Sequence, residues 1–410
     1  KEALDLTCEL RSKSIGVRLF PKLLNHFTNI AGNINTPSGS VTLGSTASDG
    51  EALDKTFLRE INFFDMNKLN EAMVKLVADP IILSSSVDIV IFFGTRAQQM
   101  GRKNERAMYR KLVDSGLAKF CHVALTEHMF DPKICFKFSK LLLIFNGRSE
   151  SFRDQMCEAE WAVLLHNILN EYKEDPSVIE NFLRVIYELT VESFDARTTY
   201  GDNSMCAMCM NILGNHYSVN RLVASACRAI CALTNDTHAN NQARMMAEEE
   251  FPHFMIKAIK ANVRNVKLCD QIYWCVFNFV ADHNLNMHIL ARAGLFETMV
   301  DILSTHKNEE LVVNQTIWAL FRIGPNAKGG YLGVDKKMEA LLTSYFKSEH
   351  VSVKSNALKA FKVIFDGKKA SKPSTPSSKP GSASATSGGR GAGFKKPDAN
   401  SASSQNGKRS

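Results

Sequence analysis

The chain has 410 residues, of which 45% are hydrophobic and 22% are charged, a composition typical of a globular protein with a sizeable core. No apolar stretch reaches the roughly 18 to 20 residues of a membrane-spanning helix, so we expect no insertion into a bilayer. Nine of the 50 basic residues and one of the 42 acidic residues lie in residues 367–410, which leaves 41 of each sign in residues 1–366. The net charge of +8 therefore belongs to the carboxyl-terminal segment.

Residues 1–99 show helical spacing without a regular repeat, and we expect an irregular helical cap there. Within this region, residues 32–52 are rich in Gly, Ser and Thr and predict a mobile loop. The apolar run IILSSSVDIVIFFG (81–94) has two interpretations, a degenerate repeat helix or an apolar segment of another kind.

An apolar helical pattern recurs along the rest of the chain at intervals of 41 to 46 residues. Its clearest copies are TIWALFRIG and IYWCVFNFV, which align Trp318 with Trp274 at an offset of 44 residues. The six copies span residues 138–146, 182–190, 226–234, 272–280, 316–324 and 357–365. Such a period predicts a solenoid built from repeats of a few helices each.

The segments before these copies also recur, as a short helix, a hinge, a second helix and a polar loop. Gly116 and Gly294 occupy the hinge, where a positive φ suits glycine, whereas Phe251-Pro252 replaces the glycine in another unit. Asp131-Pro132 and Asp175-Pro176 occupy the loop, because proline ends one helix and presets φ for the next.

Three helices per unit, a hinge glycine and a third helix similar to W-A-L-x-N-I resemble the armadillo repeat over residues 100–366. The two-helix HEAT repeat is the nearest alternative. The resemblance implies an all-α fold, a right-handed α-solenoid of three-helix repeats whose third helices line a concave groove.

If the third helices line such a groove, the residue types along them favour partner binding. The central stripe contains basic and Trp side chains, and Asn or Gln side chains flank it. The amide group of Asn or Gln can bond both the N–H and the C=O groups of an extended peptide. The alternative is that the Trp side chains pack between repeats and the basic residues are merely solvated. The candidate groove residues are Lys140, Arg184, Arg228, Trp274, Asn278, Trp318, Arg322, Lys359, Asn181, Gln271, Gln315 and Asn356.

The stripe also indicates the kind of partner. Trp274 and Asn278 match the W-x-x-x-N pattern of importin-α, which binds basic nuclear-localisation peptides, but no other unit has it. The basic residues Lys140, Arg184 and Arg228 at the matching position look more like β-catenin, whose groove accepts acidic extended partners. We therefore expect a protein-binding scaffold with acidic partners near Lys140–Arg228 and apolar partners near Trp274–Trp318; an importin-α-like nuclear-transport adaptor is the alternative.

No constellation of catalytic residues is present, and we expect neither an enzyme nor a cofactor. The CAMC motif (206–209) lacks a second ligand pair for zinc, and its spacing also fits a helix core, so we expect no metal site. Most cysteines lie within apolar helical patterns, which favours free thiols and a cytoplasmic or nuclear location.

Residues 367–410 contain eleven Ser and a single aromatic residue, Phe394, so they cannot form a core and we expect disorder. The positive charge suits nucleic acid, an anionic membrane surface or the acidic surface of microtubules. A cytoskeletal or nucleic-acid binder acting through this tail is the second alternative function, and a purely solubilising tail is the simpler explanation.

Overall fold

The computed structural model describes residues 77–78, 80–98, 102–235, 238–326 and 334–366, which form α-helices without any β-strand in those ranges. The all-α repeat solenoid predicted from the sequence is confirmed. The predicted loop 32–52, most of the amino-terminal cap and the basic tail 367–410 lie outside the described residues.

The helices from α2 to α16 recur in groups of three, which we number as the first to the fifth repeat; α1 precedes them, and α17 and α18 follow them. In chain order they are α1 (Pro80–Gln98), α2 (Arg102–Asp114), α3 (Leu117–Glu127), α4 (Pro132–Asn146), α5 (Glu150–Met156), α6 (Ala159–Glu171), α7 (Pro176–Thr190), α8 (Phe194–Asp202), α9 (Met205–Asn215), α10 (Asn220–Leu233), α11 (Ala239–Arg244), α12 (Phe251–Asn262), α13 (Val266–Val280), α14 (Asn284–Arg292), α15 (Leu295–Thr305), α16 (Glu310–Ile323), α17 (Asp335–Tyr345) and α18 (Val351–Phe361). A 3-10 turn, Gly324–Asn326, follows α16, and a π-helical turn, Lys362–Asp366, follows α18.

Helices of the same rank pack against one another from repeat to repeat. The third helices form one continuous row, α1, α4, α7, α10, α13, α16 and α18, in which each contacts the next. The second helices form a parallel row, α3, α6, α9, α12, α15 and α17. Fully buried aromatic side chains such as Phe138, Phe182 and Phe279 fill the space between the helices. Each repeat therefore buries its apolar surface against its neighbours, as solenoid repeats do.

The run 81–94 lies in α1, and the helical interpretation of it is correct. Leu83, Val87 and Val90 are buried, and α1 packs on α4 as α4 packs on α7. The row of third helices therefore includes α1, which lies within residues 1–99, the region predicted as an irregular helical cap. The run follows Asp79-Pro80, the type of dipeptide that also precedes α4 and α7, so a local signal for a third helix was present in the sequence and went unused.

The predicted glycine hinges are present between the first and second helices. Gly116 has a φ of 93° and Gly294 a φ of 95°, both in the left-handed region that favours glycine. At the same junction of the third repeat, Ser204 takes a φ of 63°. These residues turn the chain sharply enough for the second helix to pack on the row of second helices.

The predicted Asp-Pro loops also serve as helix caps. The Asp131 carboxylate accepts hydrogen bonds from the backbone N–H groups of Lys133 at 2.9 Å and Ile134 at 3.3 Å. The Asp175 carboxylate accepts from the backbone N–H of Ser177 at 2.9 Å and from its hydroxyl at 2.6 Å. The Ser177 hydroxyl and backbone hold the pKa of Asp175 below its usual value. Each Asp thus satisfies N–H groups that the first turn of the third helix leaves unpaired.

Two buried asparagines bond three helices together in successive repeats. The Asn241 amide donates to the carbonyl oxygens of Arg197, at 2.8 Å, and Leu233, at 2.9 Å. One repeat later, the Asn286 amide donates to those of Gln242, at 2.8 Å, and Phe279, at 3.0 Å. In both cases one acceptor carbonyl lies on the first helix of the preceding repeat, and the other lies at the end of the preceding third helix. These bonds set the positions of the fourth and fifth repeats relative to the repeats before them.

A histidine caps the first helix of the fourth repeat, where earlier repeats use Ser149 and Ser193. His238 Nδ1 accepts from the backbone N–H of Asn241 at 3.4 Å, and Nε2 lies 3.1 Å from the Thr198 hydroxyl oxygen. Since Nδ1 accepts, the ring is neutral with its proton on Nε2. Burial lowers the pKa of His238, and the nearby charges of Arg197 and Arg244 lower it further, against the opposing effect of Asp202.

We expect Gly116→Ala to destabilise the protein through its backbone alone, because no atom lies within 4 Å of the added methyl group. A left-handed conformation costs a residue with a Cβ atom about 1 to 2 kcal/mol, so the free energy of unfolding falls by about that amount. Gly147→Ala is the matched control, because Gly147 has a φ of −70°, which any residue can adopt. The methyl group added there would lie 3.4 Å from the Leu143 carbonyl oxygen, an ordinary contact distance. Equal losses in chemical denaturation of the two variants would contradict this prediction.

We expect the protein to lose stability as the pH falls below about 6.5, the pKa of an unfolded histidine. Because the pKa of His238 is lower in the folded state, the unfolded chain takes up the proton first, and the free energy of unfolding decreases with decreasing pH. His238→Ser replaces the ring with the cap of the neighbouring repeat and should flatten this decrease. The measurement is denaturant unfolding of both proteins from pH 8 to 5; parallel curves for the two would show that His238 has no part in it.

Candidate protein-binding face

The exposed side of the third helices repeats the same positions in every unit. We call this surface the third-helix face and define it by its central residues, Lys140, Arg184, Arg228, Trp274, Trp318 and Lys359, together with the residues three positions before and four positions after each of them. All the central residues are exposed except Trp318, which is half-buried. Neighbouring residues on the same helices, such as Ile186 and Leu320, are completely buried. The central stripe predicted from the sequence therefore lies at the surface and outside the core.

The amino-terminal half of the third-helix face is basic. Arg184 and Arg228 are exposed, and neither makes an ion pair with another residue in the part of the chain that the structure describes. The Lys140 ammonium lies 4.2 Å from the centre of the Phe136 ring, on its own helix. By contrast, the Lys137 ammonium donates to the Asp88 carboxylate of α1 at 2.5 Å. The positive charge available to a partner thus comes from the central stripe, and Glu188, half-buried four residues after Arg184, is an acidic neighbour on the same face.

The carboxyl-terminal half is aromatic and is organised around Arg322. The Arg322 guanidinium carbon lies 4.5 Å from the centre of the Trp274 ring and 5.0 Å from that of Trp318. A guanidinium between two indole rings gains cation–π attraction from both. The Asp270 carboxylate lies 3.8 Å from an Arg322 nitrogen and accepts a hydrogen bond from the Gln315 amide at 2.6 Å. Residues of α13 and α16 therefore form one connected cluster.

Phenylalanine side chains support both indoles. Trp318 stacks on Phe321 with ring centres 5.1 Å apart and an interplanar angle of 22°, and Trp274 packs on Phe277 at 5.5 Å. Trp274 nevertheless keeps 37% of its surface exposed. Burial lowers the pKa of Arg322, and Asp270 acts in the opposite direction. The cluster thus presents apolar ring surface beside a cation whose position is already set.

Several of the predicted amides bridge adjacent third helices. Besides the Gln315 bond to Asp270, the Asn356 amide donates to the side-chain oxygen of Asn314 at 2.9 Å. The Asn278 amide donates to the Cys231 carbonyl oxygen at 3.4 Å. These side chains were predicted to be able to bond a partner's main chain, but one N–H donor of each is already used within the fold. Asn181 and Gln271 are half-buried on the same face.

Arg322 was predicted from the sequence as a groove residue, but its contact with Trp274 was not predicted. The i, i+4 spacing predicts the Arg322–Trp318 contact, but the Trp274 contact crosses between repeats. Asp270, Phe277 and Phe321 were not identified at all. The sequence signal for the two phenylalanines is the recurrence of an aromatic residue three positions after Trp274 and Trp318.

The cysteines of the CAMC motif lie in the core. Cys206 and Cys209 are buried on α9, and burial raises the pKa of Cys206 to about 12 and that of Cys209 still further. Within the described ranges, no group of three or more His, Cys, Asp or Glu side chains is placed to hold a metal ion. The described helices also include none with the length and hydrophobicity needed to cross a membrane.

No protein-family model matches the sequence, and no curated protein sequence matches it. Among solved structures, one engineered protein aligns over 74% of this chain and 100% of its own, with 14% identity and a TM-score of 0.38; another aligns over 89% and 99%, with 11% identity and a TM-score of 0.42. A structure from a study of a conserved phosphorylation switch in the interaction between cadherin and β-catenin aligns over 88% and 80%, with 11% identity and a TM-score of 0.36. These similarities are weak, and the fold assignment rests on the helices and their packing.

We expect Trp318→Ala to destabilise the protein less than Leu320→Ala. Trp318 is half-buried, so its truncation removes ring contacts with Phe321 and Arg322, at about 1 to 2 kcal/mol, and leaves no internal cavity. Leu320 is completely buried, and its truncation should cost about 2 to 5 kcal/mol. Chemical denaturation measures both; a larger loss for Trp318→Ala would place the indole in the core.

Proposed function

We propose that the chain is a non-catalytic scaffold of the armadillo type, which binds an extended segment of a partner protein along the third-helix face. The observation that carries this proposal is the cluster of Trp274, Arg322 and Trp318 beside the exposed Arg228 and Arg184. Exposed Trp and Arg side chains in ordered surroundings are the residue types most enriched among the strongest contributors to protein–protein binding.

The two halves of the face call for different partner chemistry. A partner segment near Lys140, Arg184 and Arg228 should carry Asp or Glu side chains, because the described part of the face leaves the two arginines without ion pairs. Near Trp274 and Trp318 it should carry aromatic or aliphatic side chains that cover the exposed ring surface. Amide groups along the face can add main-chain hydrogen bonds where their second donor or their oxygen remains accessible.

A nuclear-transport adaptor is the competing function, and it requires a basic cargo. Its support is the Trp274–Asn278 pair, but Asn278 donates to the Cys231 carbonyl and Arg322 lies over the Trp274 ring. A lysine side chain that approached Trp274 would therefore meet the Arg322 charge. The acidic partner is favoured on this ground.

The test is a titration of the full chain with fluorescent peptides of equal length, one acidic with Phe or Leu residues and one basic. We expect Arg184→Glu combined with Arg228→Glu to weaken binding of the acidic peptide about tenfold or more, since two attractions become repulsions. Lys119→Glu combined with Lys260→Glu is the control, because both lysines are exposed on second helices and the net charge changes equally. This control also accounts for attraction of the acidic peptide by residues 367–410.

Each outcome of the titration separates the candidate functions. Equal weakening by the two double variants would show that net charge, and no particular surface, attracts the acidic peptide. Tighter binding of the basic peptide to the unmodified chain would overturn the scaffold proposal in favour of the transport adaptor.

A further inference from the structure

Two thiols on adjacent third helices lie close together beneath the third-helix face. The sulfur atoms of Cys231, on α10, and Cys275, on α13, are 3.2 Å apart. Cys275 also donates to the carbonyl oxygen of Cys227 at 3.3 Å. This contact joins two neighbouring repeats, since the two cysteines are 44 residues apart in the chain. Such closeness is not required of cysteines that act only as small apolar side chains.

The two thiols differ in their access to solvent. Cys275 is completely buried, whereas Cys231 is half-buried and lies three residues after Arg228 on the exposed side of α10. Burial and the neighbouring thiols raise the pKa of Cys275 well above its usual value. A water-soluble oxidant therefore reaches Cys231 first, and Cys275 stays protonated until a partner sulfur is available.

Other cysteines of these two helices are less suitably placed. Cys227 lies near Cys275 through both its thiol and its carbonyl group, but it is buried, so an oxidant in solution reaches the half-buried Cys231 first. Cys269 lies on α13 but donates to the carbonyl oxygen of Asn262, on α12, at 3.1 Å. Its thiol thus points to the second helix and away from Cys231. The geometry selects one pair.

We propose that Cys231 and Cys275 form a redox-modification site that a peroxide converts into a disulfide between α10 and α13. The Cys231 thiolate attacks one peroxide oxygen, which breaks the O–O bond, forms a sulfenic acid and releases hydroxide. The Cys275 sulfur then attacks the sulfenic sulfur, the S–O bond breaks, and the oxygen leaves as water with the Cys275 proton. The two sulfurs lose two electrons to the peroxide, and a thiol reductant restores both thiols by exchange.

The step needs little rearrangement, because the two sulfurs must approach by only about 1 Å more to reach bonding distance. The product ties the third helices of the third and fourth repeats together between Arg228 and Trp274. It therefore joins the basic and aromatic halves of the third-helix face covalently. The site stands independently of whether that face binds a partner.

Peptide mapping of the full chain tests the proposal without any variant. The folded protein is treated with hydrogen peroxide, its free thiols are blocked with N-ethylmaleimide during unfolding, and it is digested with trypsin without reductant. Trypsin places Cys231 in residues 229–244, Cys275 in residues 268–292 and Cys227 in residues 222–228. We expect the first two peptides to be linked after peroxide and to separate with dithiothreitol.

Because residues 268–292 also contain Cys269, the map is repeated on Cys269→Ser, in which the link should persist, and on Cys231→Ser, in which it should vanish. The oxidised protein should also unfold at a higher temperature than the reduced one, with no such difference in Cys231→Ser. A link through Cys227 or Cys269 would overturn the proposal. So would recovery of Cys231 only as thiol or as sulfinic acid after peroxide treatment.

Discussion

The rest of the structure depends on the buried amide bonds that hold the fourth and fifth repeats to the repeats before them. Asn241 and Asn286 each donate to two carbonyl groups, one on the preceding first helix and one at the end of the preceding third helix. A carbonyl group left unpaired in the core costs about 1 to 3 kcal/mol, so a repeat that shifted relative to its neighbour would lose two such bonds together. Apolar packing alone tolerates sliding more readily than directed hydrogen bonds do.

The functional features follow from this constraint because they cross between repeats. Arg322 meets Trp274 only when α16 lies at one position along α13, and Gln315 meets Asp270 under the same condition. The approach of Cys231 to Cys275 likewise depends on how α10 and α13 are aligned. The face is thus a property of neighbouring repeats taken together, and a single repeat would not possess it.

The repeat pattern was sufficient to predict the helices, the hinges and the exposed stripe, because these depend on residues close in sequence. Gly116 and Gly294 are local signals for a positive φ, and the spacing of Lys140, Arg184 and Arg228 places them on one side of their helices. The helix at 80–98 was ambiguous because its apolar run lies in a region without a regular repeat, although Asp79-Pro80 precedes it as Asp-Pro precedes α4 and α7. Its burial depends on α4, which the local pattern does not reveal.

Contacts between repeats were beyond prediction for a related reason. A period of 41 to 46 residues aligns equivalent positions but leaves the offset between adjacent helices undetermined by several ångströms. That offset decides whether the Asn356 amide faces solvent or bonds to Asn314. It also decides whether the Trp318 ring is exposed or covered by Arg322. It also explains why Cys231 and Cys275 were both classed as small apolar residues of the core.

The position of Arg322 between two indoles has a consequence for conformational entropy. A free arginine side chain loses up to about 2 kcal/mol of rotamer freedom when it is immobilised. Here the rings of Trp274 and Trp318 and the Asp270 carboxylate restrict the guanidinium during folding, before any other molecule arrives. An anion that meets this guanidinium encounters a side chain with little motion left to lose, so a larger share of the attraction remains as net binding free energy.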